Sequence, residues 1–63
     1  MTPAEERLAE ALLVERQHGD RAPAFAAERI GELAAAGDAE GVKRWTEIAV
    51  ILDGLRRPAG PLN

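Results

Sequence analysis

Apolar residues recur at helical spacing in three separate stretches of the chain. Ala4, Leu8, Ala11 and Leu12 fall on one stripe of a first helix, and Ala26, Ala27, Ile30, Leu33 and Ala34 on one stripe of a second. Val42, Trp45, Ile48, Ala49, Leu52 and Leu55 make the longest stripe, on a third. This spacing predicts an all-α fold with Trp45 at the centre of its core. Five large apolar residues fall off the stripes: Leu13, Val14, Phe25, Val50 and Ile51. Single exposed apolar residues are ordinary, but five on three short helices are an excess. They are the candidate contact residues of a second apolar surface, used for self-association or for another protein. The competing reading is that a small bundle wraps its core from wide angles and half-buries them.

The ends of the helices are marked. Thr2 fits an N-cap, Pro3 the first helical position and Glu5 the reciprocal place in a capping box. Gly19 can take the left-handed conformation that ends a helix, and Asp20 is placed to cap the next one, with Pro23 in its first turn. The same punctuation recurs at Gly37-Asp38. Arg56 and Arg57 suit the negative end of the third helix, and Pro58 stops it. The expected architecture is therefore a three-helix bundle, with helices at about 3–18, 21–36 and 39–57 joined by two Gly-Asp turns. Residues 1–57 form one domain and 58–63 a Pro- and Gly-containing tail. Gly31 borders the second stripe, where it is expected to let another backbone approach.

Size sharpens the picture. A domain this small buries only about 60% of its unfolded surface, and such chains draw on disulfides, a metal, a partner or very regular packing. The chain has no cysteine, which removes disulfides and thiolate metal sites. An oligomer is the expected solution. The start, "MTPAEER", has neither a basic nor an apolar segment of a signal peptide, and the longest apolar run, Ile48 to Leu52, is too short to cross a bilayer. A soluble, cytoplasmic protein is expected. A net charge of −3 argues against nucleic acid as partner. Glu40 with Arg44 and Lys43 with Glu47 are spaced to pair along the solvated face of the third helix.

Chemistry has little to stand on. The one histidine, His18, follows Glu15 at the Glu-x-x-His spacing that di-iron carboxylate bundles use in pairs, and a two-fold dimer could bring two copies together. The further ligands available, Glu28, Glu32 and Glu47, fall on polar faces away from the stripes. His18 also lies in a last helical turn, where an imidazolium is favoured by the dipole, so a C-terminal cap with a Glu15–His18 contact is expected rather than a metal. There is no serine, and the glycines are scattered at helix ends and the tail rather than grouped in a phosphate loop. No nucleophile, cofactor site or catalytic constellation emerges, and the chain is not expected to be an enzyme. The leading expectation is a small non-enzymatic interaction or self-associating module. The alternatives are a trihelical DNA-binding regulator reading with Lys43 and Arg44, and, behind it, a dimeric metal-binding carboxylate/His protein.

The run Val14 to Leu55 resembles a family of short alphaproteobacterial proteins, a domain of unknown function. The resemblance rests on Gln17-His18-Gly19-Asp20, Ala27-Glu28-Arg29-Ile30, Gly37-Asp38 and Trp45, and covers about two thirds of the chain. It implies a small cytoplasmic bacterial protein and brings no activity, ligand, partner or functional residue with it.

Overall fold

The computed structural model describes residues 1–56, and these are all-α, with no strand among them. The elements are α1 (Pro3–His18), a single 3-10 turn (Gly19–Arg21), α2 (Ala22–Ala35) and α3 (Ala39–Arg56). The 3-10 turn follows α1 and leads into α2 with no intervening loop residue, so the described residues make two helical runs, 3–35, bent at Gly19, and 39–56. α1 has its expected bounds, and α2 is one residue shorter at each end. The expected stop at Arg57–Pro58 and the tail at 58–63 lie outside the described residues.

The α1 N-terminus is built as its sequence predicts. The Thr2 hydroxyl accepts from the Glu5 N–H at 3.2 Å, and the Glu5 carboxylate accepts from the Thr2 N–H at 2.8 Å, so two free donors are satisfied reciprocally. Gly19 ends α1 at φ 55, ψ −127, its N–H donating to the Glu15 carbonyl. Asp20 does not cap α2, contrary to expectation: it lies inside the 3-10 turn, and α2 starts after Arg21 with no side-chain cap. The Ala22 N–H donates to the Gly19 carbonyl, so turn backbone already serves the start of the helix.

The second junction follows the sequence signal. With Gly37 at φ 74, its N–H donates to the Ala34 carbonyl at 3.0 Å and the Asp38 N–H to the Leu33 carbonyl at 2.9 Å, the two bonds of a Schellman motif. Asp38 Oδ1 then accepts from the Gly41 N–H at 2.9 Å and caps α3.

The core is thin. Among the described residues the buried ones are Ala11, Val14, Ala22, Ala26, Ile48 and Leu52, and of these only Ile48 and Leu52 are large and fully enclosed. Phe25, Trp45, Ala49 and Ile51 pack against this cluster from its edge. Trp45 is therefore a rim residue rather than the centre, because the alanines of α1 and α2 leave room for only two long side chains between the helices. α2 and α3 pack most extensively and α1 and α2 least.

The stripe on α1 is rotated from the predicted one. Ala4, Leu8 and Leu12 are exposed, while Val14, expected to face out, is 6% exposed. The inward seam is Arg7, Ala11, Val14 and His18, with Glu10 and Glu15 half-buried beside it. Charges take inward positions because each finds a partner across the interface. Arg7 Nε donates to Glu47 at 2.9 Å, Arg44 donates to Glu10, and Arg56 donates to Glu15. Gly31 has no heavy atom within 4 Å of where a Cβ would stand, so no backbone approaches it and that expectation is corrected.

Candidate functional site

One side of the α1–α3 interface is an ion-pair network. Arg7 Nη1 donates to Glu10 at 2.8 Å while its Nε holds Glu47, and Glu10 also receives the Arg44 guanidinium. The Arg44 hydrogen bond holds the Glu10 carboxyl below the ordinary glutamate range, with Arg7 acting the same way and desolvation opposing both. Both guanidinium groups are raised, chiefly by their hydrogen bonds to Glu10. Arg44 and Glu47 thus turn to α1 rather than to Glu40 and Lys43 along their own helix, as the spacing had suggested.

At the α1–α2 corner Arg56 reaches back from the end of α3 and donates to both the Glu15 carboxylate and the Gly19 carbonyl. This replaces the expected His18 cap and the Glu15–His18 contact. His18 instead stacks on Phe25, with ring centroids 3.9 Å apart and planes 15° from parallel. Phe25 in turn meets Trp45 edge-on at 5.7 Å and 70°. The Glu15 carboxylate is thus held by a guanidinium, and no three His, Cys, Asp or Glu converge on a metal site among the described residues.

The five residues singled out from sequence are divided between two surfaces. Leu13, Val14 and Phe25 line an open groove of about 460 Å³, with Leu33, Trp45 and Arg44 among its other walls. Val50 and Ile51 line a separate recess of about 480 Å³ with Pro3, Ala4 and Arg7. Leu13 and Val50 are exposed, at 51% and 67%. Val14 is only 6% exposed, and Phe25 and Ile51 are half-buried against the core. Their places follow from the rotation of α1 and the narrowness of the core, which draws in side chains from the edges of each helix.

Sequence reasoning missed Leu8 and Leu12, which it assigned to the core. They are 45% and 47% exposed and join Leu13 on consecutive turns of α1. A shallow recess of about 530 Å³ lies among Ala9, Leu12, Leu13 and Arg16 on this outer face. A signal was present: Glu5, Ala9, Leu12 and Arg16 repeat at the same spacing as the inward Arg7, Ala11, Val14 and His18, on the opposite side of the helix. Among the described residues no helix is long and apolar enough to cross a membrane.

No curated protein and no solved structure matches the chain. A family model does match, over residues 4–59, which takes in all of the helices described above except the first residue of α1, and the chain belongs to that family of unknown function (DUF6961).

Proposed function

We propose that this is a small non-enzymatic helical module whose work is to bind protein, and that the outer face of α1 is its principal contact. The observation that carries the reading is the exposure of Leu8, Leu12 and Leu13 at 45–51%, on a helix that gives only Ala11 and Val14 to the buried core. Covering the exposed half of a leucine contributes on the order of 1 kcal/mol. Three such side chains on adjacent turns favour a covered state over a solvated one.

The charged groups around the groove support the same reading. Glu10 and Arg44 are tied to each other, which leaves neither poised as an acid, a base or an anion clamp. A DNA reader at the start of α3 would need Arg44 free, and its guanidinium sits on Glu10. On this reading the module works in a bacterial cytoplasm, where a chain without cysteine loses nothing to reduction.

The test is a photo-crosslinking amino acid placed at Leu12, with a control at Glu32 on the exposed face of α2, in the producing cell. A protein adduct of defined mass at position 12 and not at 32 is expected. No adduct at 12, or the same adducts at both sites, would overturn the proposal.

A further inference from the structure

We infer that the occupant of the α1 outer face is a second copy of this chain, lying antiparallel along its own α1. The inference rests on the reading of that face as a protein contact and names the partner. Glu5, Ala9, Leu12 and Arg16 succeed one another at intervals of four, three and four residues, the repeat of a coiled-coil seam. All four are exposed, and they point away from the Arg7–Ala11–Val14–His18 seam that faces the core. α1 is thus amphipathic twice over, with one seam used within the chain and one left open.

The open seam is self-complementary under a two-fold axis that passes between positions 10 and 11. That operation sets Glu5 against Arg16 of the copy and Ala9 against Leu12 of the copy, and each pairing occurs twice. The charges match. Arg16 has no ion-pair partner among the described residues. Glu5 engages the Thr2 N–H through Oε1, which leaves its other oxygen for a guanidinium.

The sizes match as well. The recess of about 530 Å³ among Ala9, Leu12, Leu13 and Arg16 exists because Ala9 is small, and a leucine from the copy fits over it. Leu8 and Leu13 flank the seam on its two sides and close its edges. A parallel arrangement would set Glu5 against Glu5 and Arg16 against Arg16, which repels at both ends, and would split the middle into a Leu12–Leu12 layer and an underfilled Ala9–Ala9 layer. The pattern of charge and size therefore selects the antiparallel form.

Sedimentation equilibrium of the purified chain tests this, with far-ultraviolet circular dichroism as the check on folding. The expected mass rises with concentration from 6.7 kDa toward twice that value. Leu12→Glu is expected to stay monomeric with its helix signal intact, since Leu12 lies outside the core. Arg16→Glu, which turns two attractions into two repulsions, is expected to weaken the dimer roughly tenfold, and Glu5→Arg combined with Arg16→Glu to restore it. Rescue by the double reversal separates pairing from a mere loss of the Thr2–Glu5 cap, which the reversal does not repair.

A mass that stays monomeric to ~1 mM overturns the second copy as partner. The crosslink at Leu12 then decides whether the contact reading survives with a different protein. A dimer that persists in Leu12→Glu overturns the face, and failure of the double reversal overturns the antiparallel register.

Discussion

Among the described residues three glycines lie within α-helices, and the structure assigns one substitution opposite outcomes among them. A glycine in a helix interior costs about 1 kcal/mol relative to alanine. At Gly31 in α2 and Gly54 in α3 an added methyl meets no atom within 4 Å, so the whole propensity gain is available. At Gly41, in the first turn of α3, the methyl would stand 2.6 Å from Asp38 Oδ2 and 2.9 Å from its Cγ. That carboxylate accepts from the Gly41 N–H at 2.9 Å. Making room means moving it and giving up a cap worth typically ~1 kcal/mol, which cancels or outweighs the gain. In a domain of this size 1 kcal/mol moves the melting temperature by about 4–8 °C. Gly31→Ala and Gly54→Ala are each expected to raise the melting temperature by that amount, and the double variant by about twice as much because the sites are independent. Gly41→Ala is expected to give no rise. Thermal melts followed by circular dichroism at one fixed protein concentration read all four variants. A fall on Gly31→Ala would show that something packs on that face after all. A rise at Gly41 equal to that at Gly31 would refute the Asp38 cap.

The α1–α2 corner and the ion-pair network give two more expectations. Gly19 sits at φ 55, ψ −127, where a side chain is strained, so Gly19→Ala is expected to destabilise by about 1–3 kcal/mol, and an unchanged melt would contradict that corner geometry. Glu10 is held below the ordinary glutamate range by Arg44, so its contribution to stability is complete above that range and is lost as pH falls through the lowered value. Glu10→Gln is expected to flatten this part of the acid limb of a melting-temperature profile, and a variant whose acid limb keeps the parent's slope refutes the linkage.

The parts of the fold that local chemistry decides could be read from the sequence. The Thr2–Glu5 capping box, the Gly37–Asp38 reversal and the buried positions Ala26, Ile48 and Leu52 follow from neighbours a few residues away. The face of α1 does not. Counting apolar residues places Leu8 and Leu12 inside and Val14 outside, because Arg7, Glu10 and Glu15 look like solvent positions. Their partners are Glu47, Arg44 and Arg56, all on α3, and contacts so distant in sequence leave no periodic trace. Asp20 misled for the opposite reason: a good cap residue is redundant where the backbone of a 3-10 turn already bonds the start of the helix. The same rotation explains the candidate contacts. Leu13 and Val50 are outside as read, Val14, Phe25 and Ile51 are drawn inward, and the leucines at 8 and 12 take the exposed face instead.

The central claim is that α1 has two seams with different duties, and a matched pair of substitutions two residues apart tests it most directly. Val14→Asp and Leu12→Asp place the same charge on opposite sides of one helix. With thermal melts and sedimentation measured on both, Val14→Asp is expected to lose its cooperative transition, because a carboxylate would be buried without a partner. Leu12→Asp is expected to keep helix and fold while losing its association. The reverse result, an unfolded Leu12→Asp beside a folded Val14→Asp, would contradict the orientation of α1 and everything built on it.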